Sequence, residues 1–230
     1  MIELRNLTKY YPTERGKKYV FRDLNVTFPT GHSIGLLGRN GAGKSTLLRI
    51  LGGIEAPDSG QVVCDENISW PVGLSGGFQG SLSARDNIRF VCRVFGASGA
   101  EMERVIKYVE DFAEIGDYFD LPVRTYSHGM KSRVTFGTSM AFDFDYYLID
   151  EVMAVGDPIF RKKSSAVFKE KVADAAVILV SHNLKEIAEM CDSAVVVERG
   201  DVKVFNDVQA GIDYYQDTLK APVPKAPVNK

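Results

Sequence analysis

The stretch Gly38-Arg39-Asn40-Gly41-Ala42-Gly43-Lys44-Ser45-Thr46 decides the fold of this chain of 230 residues, because it follows the pattern G-x-x-x-x-G-K-[ST]. An apolar, strand-like run over residues 33–37 precedes the stretch, and a helical pattern over residues 45–51 follows it. A glycine-rich loop between a strand and a helix turns its backbone N–H groups inward, where they hold phosphate oxygens. The positive N-terminal end of the helix strengthens this attraction. The sequence therefore predicts a phosphate-binding loop.

Two side chains of this loop supply charge and metal chemistry. Lys44 is predicted to place its ammonium group on the β- and γ-phosphates of a nucleotide, and Ser45 to ligate Mg²⁺ through its hydroxyl. The residues predicted to contact the nucleotide are Gly38, Arg39, Asn40, Gly41, Ala42, Gly43, Lys44, Ser45 and Thr46.

The second half of such a site is an acidic residue at the end of an apolar strand. Residues 146–149 form an apolar run that leads into Asp150 and Glu151. We predict that Asp150 holds Mg²⁺, directly or through water. Glu151 then lies near the γ-phosphate, where its carboxylate polarises the attacking water.

Apolar runs recur along the chain and indicate an α/β fold with a mostly parallel central sheet, because parallel strands are covered on both faces. Val105, Val109 and Phe112 repeat at helical spacing between two of these runs. The predicted strands cover residues 34–37, 61–64, 146–149, 177–180 and 194–197.

Three segments differ from this α/β pattern. Residues 2–11 and 19–28 resemble two strands joined by a polar turn, which predicts an antiparallel β layer at the N-terminus. Residues 84–134, with approximate limits, are rich in helical patterns and predict an inserted helical subdomain. One domain is therefore predicted over residues 1–215, followed by a flexible tail over residues 216–230 that carries three prolines near its end.

Composition and charge disfavour several classes of protein. Hydrophobic residues make up 45% of the chain and charged residues 25%, which is typical of a soluble globular protein. The net charge of −2 disfavours electrostatic binding to nucleic acid. The longest charge-free stretch, residues 67–84, is less than half apolar, whereas a membrane-spanning helix needs about 20 mostly apolar residues. We therefore expect a cytoplasmic chain, unless a partner holds it at a membrane.

Residues 1–215 resemble the nucleotide-binding subunits of ABC transporters, which implies a RecA-like P-loop NTPase core and ATP as the nucleotide. The family's signature, usually LSGGQ, opens a helix shortly before the acidic strand. Residues 74–77 are closer to this signature by letters, but they lie far upstream, ahead of the helical segment. The stretch Tyr-Ser127-His-Gly-Met opens the helix that precedes the acidic strand, 23 residues before Asp150. We therefore take the second stretch as the signature.

The resemblance implies that Ser127, His128 and Gly129 face the γ-phosphate bound to a second copy of the chain. Two chains then form a homodimer around two ATP molecules. His128 departs from the family pattern, in which a small residue is usual at this position. Asp157 corresponds to the end of the family's dimer-contacting loop.

Three further residues correspond to family elements. Gln79 matches the glutamine that senses Mg²⁺ and the attacking water, so it is predicted as a nucleotide contact and a metal ligand. His182 matches the switch histidine that contacts the γ-phosphate and orients Glu151. Tyr11 aligns best with the aromatic residue that stacks on adenine, with Tyr10 as the alternative.

Among ABC ATPases, the chain most resembles those that export capsular polysaccharides. The resemblance rests on the short interval of 35 residues from Lys44 to Gln79, on Gly-Phe-Gln79, on Tyr-Ser127-His-Gly-Met-Lys-Ser-Arg and on Val-Gly-Asp157. It implies a motor that binds a separate membrane permease at the cytoplasmic face of the bacterial inner membrane, as a peripheral protein. Export of O-antigen or teichoic acid remains an alternative. An importer ATPase and a soluble ABC ATPase that acts on nucleic acid or ribosomes fit the sequence less well.

We expect Glu151→Gln to keep ATP binding and to lose most ATP hydrolysis. The substitution removes the carboxylate but preserves its size and hydrogen bonding, and loss of a positioned base costs about 10²- to 10⁴-fold in rate. Titration calorimetry measures the binding and phosphate release measures the hydrolysis. Light scattering is expected to show the ATP-loaded variant as a dimer. Hydrolysis at the rate of the unchanged chain would assign the base to another residue.

Overall fold

Residues 1–14, 16–73, 78–150 and 157–220 are described by a computed structural model of the chain. They fall into two units, which are described separately below. The first unit comprises Met1–Ile50, Glu55–Asp65 and Ile178–Lys230, and the second comprises Leu51–Ile54 and Glu66–Val177.

Strands and helices alternate over residues 146–198, whereas strands dominate residues 2–37 and helices dominate residues 84–140. The strands are β1 (Ile2–Thr13), β2 (Gly16–Phe28), β3 (Ile34–Leu37), β4 (Ser59–Cys64), β5 (Ile68–Pro71), β6 (Tyr146–Asp150), β7 (Ala176–Val180), β8 (Ser193–Glu198) and β9 (Asp201–Phe205). The helices are α1 (Lys44–Leu51), α2 (Ala84–Val94), α3 (Gly99–Ala113), α4 (His128–Met140), α5 (Pro158–Lys171), α6 (Leu184–Met190) and α7 (Val208–Lys220).

The first unit contains the predicted antiparallel layer. Strand β1 pairs antiparallel with β2 on one side and with β4 on the other, which confirms the prediction for residues 2–28. The predicted strand over residues 61–64 is confirmed as part of β4, although it lies in the antiparallel layer and not among the parallel strands. All its side chains are exposed or half-buried, as on the edge of a sheet, whereas a central parallel strand is buried on both faces.

The parallel strands of the first unit centre on β3. This strand is buried throughout and pairs in parallel with β7, through Ile34 and Ile178, and with β8, through Leu37 and Val196. Strand β9 then pairs antiparallel with β8. The sequence analysis did not predict β9, whose residues are exposed or half-buried. Together with the helices, these pairings confirm an α/β fold with mostly parallel strands.

The second unit contains the predicted helical segment and a parallel strand pair. Helices α2, α3 and α4 enclose a buried core that includes Ile88, Val109 and Phe119. Val105 and Phe112 are also buried on α3, as their spacing predicts. Helix α4 continues to Met140, beyond the predicted limit at residue 134. Strand β5 pairs in parallel with β6. Within the described residues, none of the helices combines the length and the apolar composition that crossing a membrane requires.

Helix α7 in the first unit corrects the predicted tail. The helix runs to Lys220, so the prediction of a flexible tail is wrong for residues 216–220. The first proline after the helix start is Pro222, and a helix ends at or before the residue that precedes a proline. Gly211 and Ile212 form the buried face of α7.

We expect Gly211→Val to lower the free energy of unfolding by about 1–3 kcal/mol, because a Cβ at Gly211 would lie 2.4 Å from the Ala194 Cβ. Ala210→Val is the matched control, since it places the same side chain on the exposed face of the same helix. Urea unfolding followed by circular dichroism measures both changes. Equal stability of the two variants would contradict the close packing of α7 on β8.

Candidate nucleotide-binding site

The phosphate loop lies between β3 and α1 in the first unit, as the sequence predicts. Gly41 has φ +79° and Gly43 has φ +111°, which are conformations that residues with a Cβ rarely adopt. A Cβ on Gly43 would also lie 2.6 Å from the Val20 Cγ1. The Lys44 ammonium donates to the carbonyl oxygens of Gly38 at 2.7 Å and Arg39 at 3.3 Å. Glycine backbone and a charged amine therefore form a cradle that suits a polyphosphate.

A cavity borders this loop on the side of helix α7. Tyr215, on α7, donates its hydroxyl to the Gly38 carbonyl at 3.4 Å and lines the cavity. The sequence analysis missed Tyr215, because nothing in the local pattern of α7 indicates a contact with a loop 177 residues away. The remaining lining comes from residues 38–42, from Val196, Val197, Glu198 and Arg199, and from Thr218.

His182 follows strand β7 and reaches the same edge of the sheet as the loop. Strand β7 runs parallel to β3, so the segments that follow both strands leave the sheet at one edge. The backbone on either side of His182 is anchored. Ser181 donates to Glu186 at 2.6 Å and accepts from the Asn183 N–H at 3.0 Å. The predicted switch histidine therefore lies in a short turn that hydrogen bonds of Ser181 stabilise, and its imidazole is exposed.

The two tyrosines that competed for the adenine position have different surroundings. Tyr10 lies against the β1–β2 hairpin, with the Lys17 ammonium 3.9 Å from its ring centroid. Tyr11 points toward α1, and its hydroxyl lies 3.3 Å from that of Thr46. Because Thr46 belongs to the phosphate loop motif, this geometry favours Tyr11 as the adenine contact.

Gln79 lies in the second unit, and a buried asparagine holds its backbone. Asn87, on α2, is 2% exposed. Its amide oxygen accepts from the Gln79 N–H at 2.7 Å, and its amide nitrogen donates to the Gln79 carbonyl at 3.1 Å. A donor and an acceptor on one short side chain thus fix the loop, while the Gln79 side chain is exposed. The sequence analysis missed Asn87, which looks like an ordinary helix residue.

The chosen signature opens a helix, as predicted. Ser127 is the N-cap of α4, and its hydroxyl accepts from the Met130 N–H at 3.2 Å. Ser127 and His128 are exposed, and Gly129 is half-buried. The competing stretch, residues 74–77, lies outside the described residues.

An ion pair connects the signature helix to the next helix of the second unit. Arg133, on α4, donates to Asp157 at 2.5 Å. Asp157 also caps α5 by accepting from the Ile159 and Phe160 N–H groups, both at 3.0 Å. The hydrogen bond from Phe160 and those from Arg133 and Ile159 hold the pKa of Asp157 below its usual value. Asp157 is therefore ionised at neutral pH and keeps this connection.

Only one residue of the acidic pair lies within the described residues. Asp150 is half-buried at the end of the otherwise buried strand β6, as predicted. Glu151 lies outside the described residues. Ser45, Gln79 and Asp150, the predicted Mg²⁺ ligands, have the oxygen donors that Mg²⁺ prefers.

A family model described as ABC transporter matches residues 21–154, which is more than half of the chain. The chain belongs to the ABC transporter family. It is 52% identical to the polysialic acid transport ATP-binding protein KpsT of Escherichia coli, over 94% of this chain and 96% of that protein. It is 44% identical to the ATP-binding protein BexA of Haemophilus influenzae, over 96% of this chain and all of BexA. It is 43% identical to the capsule polysaccharide export ATP-binding protein CtrD of Neisseria meningitidis, over 94% of this chain and 98% of CtrD.

Solved structures of ABC proteins share the fold. A dimeric post-hydrolysis state of the ATP-binding cassette MJ0796 with ADP and Pi superposes with a TM-score of 0.68, covering 90% of this chain and 99% of that one at 21% identity. An ATP-binding subunit of an ABC transporter superposes with a TM-score of 0.69, covering 96% of this chain and 100% of that one, also at 21% identity. The architecture of this ABC chain is thus that of an ATP-binding cassette.

A mixture of two inactive variants tests which stretch is the ABC signature. Lys44→Ala removes the main charge partner of the triphosphate, and Ser127→Arg places a bulky cation where the second copy is expected to close. We expect neither variant to hydrolyse ATP alone. In the mixed dimer, one composite site carries both changes and the other carries neither, so phosphate release is expected to recover.

Ser75→Arg is the matched control for the competing stretch, and we expect it to affect hydrolysis less than Ser127→Arg. Ser127→Arg is expected to retain ATP binding as a monomer. Recovery of hydrolysis when Ser75→Arg is mixed with Lys44→Ala, without recovery for Ser127→Arg, would assign the signature to residues 74–77.

Proposed function

We propose that this chain is the ATP-hydrolysing subunit of an ABC exporter that carries a capsular polysaccharide across the bacterial inner membrane. The phosphate loop between β3 and α1 supports ATP as the fuel. The polymer assignment is supported by identities of 52% and 43% to relatives named for polysialic acid and capsule polysaccharide transport. Proteins named for teichoic acid and O-antigen export are also similar, at 34% and 39% identity, and the capsule assignment follows the higher identities.

The residues of the loop bind the triphosphate. The Lys44 ammonium then exchanges the carbonyl oxygens of Gly38 and Arg39 for phosphate oxygens. Tyr11 stacks on adenine. Ser45, Gln79 and Asp150 hold Mg²⁺, which neutralises phosphate charge when bound. The catalytic residues proposed from the motifs are Glu151, which orients the attacking water and accepts its proton, and His182, which orients Glu151.

Two copies of the chain form the working unit in this proposal. Ser127, His128 and Gly129 of one copy close on the nucleotide bound to the other copy. The capped start of α4 supports this role, because Ser127 and the first N–H groups of the helix stand at an exposed helix N-terminus. The side chain of His128 is exposed, so it meets the second copy without disturbing the fold.

An apolar groove on the second unit is the proposed docking site for a membrane permease. Phe90, Val94 and Phe95 on and after α2 are 58%, 63% and 47% exposed and lie along one side of the groove. Trp70 and Phe78 line it further. A contiguous exposed apolar surface of this kind marks an interaction site rather than a stable free surface. A permease helix in this groove would hold the chain at the cytoplasmic face of the membrane as a peripheral subunit.

The same helix connects this groove to the glutamine loop. Phe90 and Val94 lie one and two turns beyond Asn87, whose side chain holds the Gln79 backbone. A movement of α2 that follows permease docking therefore reaches Gln79 through two hydrogen bonds. This connection links the groove to the loop that carries Gln79.

Val94→Asp tests the motor in cells. We expect the purified variant to bind and hydrolyse ATP like the unchanged chain, because Val94 is exposed and distant in sequence from the loop. Capsular polymer on the cell surface is expected to fall strongly, because a carboxylate in the groove opposes docking of an apolar helix. Arg93→Asp is the matched control, since it places the same carboxylate on an exposed neighbour that does not line the groove.

Equal capsule export by the two variants would contradict the docking site. Normal capsule in cells that carry only Lys44→Ala would contradict the proposed function itself, because an exporter without a working ATPase has no energy source.

A further inference from the structure

A half-buried network of charged side chains lies beside the phosphate-loop helix in the first unit. Its centre is the Glu55 carboxylate, which accepts from the Tyr11 hydroxyl at 2.8 Å, from the Arg49 Nε at 3.0 Å and from the Lys9 Nζ at 3.0 Å. Lys9 and Tyr11 belong to β1, and Arg49 belongs to α1. The network therefore joins the antiparallel layer to the helix that begins with Lys44.

The hydroxyl of Tyr11 uses its full hydrogen-bonding capacity in this network. It donates to Glu55, accepts from the Arg49 Nη2 at 3.2 Å and lies 3.3 Å from the Thr46 hydroxyl, which is able to donate to it. A phenol has one proton and two lone pairs, so these three partners satisfy it completely. Any rotation that moves the ring away from α1 breaks all three contacts.

Burial and charge strengthen the hydrogen bonds that the Glu55 carboxylate accepts. The side chains of Lys9 and Glu55 are only 12% and 19% exposed. Burial by itself would raise the pKa of Glu55, but the hydrogen bonds from Tyr11, Arg49 and Lys9 outweigh burial and lower it. The carboxylate is therefore ionised at neutral pH, and hydrogen bonds to an ionised acceptor are the strong ones.

The network also distinguishes the two faces of the Tyr11 ring. The Lys9 ammonium lies 5.6 Å from the ring centroid, on one face, where the π electrons attract it. A flat base that stacks on Tyr11 then uses the opposite face. One face of the ring and its hydroxyl thus contact the protein, and the proposal assigns the other face to the base.

We propose that Glu55 is a positioning residue for nucleotide binding, because it holds the Tyr11 ring in its stacking orientation before ATP arrives. The proposal rests on the proposed function, in which Tyr11 stacks on adenine. A side chain that is already ordered loses less conformational freedom on binding, so more of the stacking energy appears as affinity. Stacking involves the adenine ring and not the triphosphate. Glu55 therefore acts on the adenine part of ATP affinity and leaves the phosphate part unchanged.

The test compares ATP with inorganic tripolyphosphate, which lacks the base, by titration calorimetry on the purified chain. Tyr11→Phe removes the hydroxyl and keeps the stacking face. We expect it to weaken ATP binding about 2- to 10-fold, the range for ordering one side chain, and to leave tripolyphosphate binding unchanged. Glu55→Gln is expected to act in the same direction. Because both changes break one network, their effects are not expected to add. The double variant is expected to bind ATP about as tightly as the single variant that has lost more affinity.

Asp58→Asn is the matched control, since Asp58 belongs to the same charged cluster through Lys9, at 3.7 Å, and accepts from the Tyr10 N–H. We expect it to leave the ratio of the two affinities unchanged. Thermal unfolding of each variant, followed by circular dichroism, separates lost stability from lost positioning. If Glu55→Gln does not fold, Tyr11→Phe carries the test by itself, because it adds no unpaired charge.

Three results would overturn the proposal. Equal weakening of ATP and tripolyphosphate by Tyr11→Phe would mean that the network supports α1 rather than the ring. Unchanged or tighter ATP binding by Tyr11→Phe would mean that the anchor does not assist stacking, or that it holds the ring away from the base. Additive losses in the double variant would separate Glu55 from Tyr11. If the unchanged chain bound neither compound, or if Lys44→Ala weakened neither, the proposed function would fail together with this proposal.

Discussion

The parallel pairing of β3 with β7 and β8 is the constraint on which the candidate site depends. The segments that follow parallel strands leave the sheet at the same edge, so the phosphate loop, His182 and Glu198 meet there although they come from distant parts of the sequence. Every residue of β3 is buried, and β7 and β8 pair with the strand on its two sides, so β3 is held within the sheet. The loop is therefore carried on a rigid support, and its glycines supply the backbone freedom that the turn itself requires.

Short polar side chains hold the loops and helix starts of the second unit. Asn87 fixes the backbone of Gln79, Ser127 caps α4, and Asp157 caps α5 while it pairs with Arg133. Each of these groups satisfies backbone N–H groups that a loop or a helix start leaves unpaired. The side chains of Gln79 and His128, which the proposed function uses, are exposed. In the described part of the chain, other residues hold these loops in place.

The groups that carry the proposed roles are divided between the two units of the described residues. The phosphate loop and the Glu55 network belong to the first unit, whereas the signature helix and the apolar groove belong to the second. Helix α2 combines three tasks in the second unit: it buries Ile88 in the helical core, holds Gln79 through Asn87 and exposes Phe90 and Val94. In the proposed function, an element of this kind carries movement between the permease and the loop of Gln79.

The sequence alone determined the features that have a local pattern. The phosphate loop follows a spacing of glycines and lysine, the buried strands β3, β6, β7 and β8 are apolar runs, and the start of α4 at Ser127 carries a capping residue. The same local reasoning did not predict the antiparallel pairing of β4, missed β9 and began the flexible tail at residue 216, inside α7, because edge strands and exposed helix ends have weak patterns. Only the tertiary structure decided the Glu55 network, the two hydrogen bonds between Asn87 and the Gln79 backbone, and the contact of Tyr215 with Gly38. Those contacts join residues between 6 and 177 positions apart through one or a few hydrogen bonds, and such bonds leave no periodic trace in a sequence.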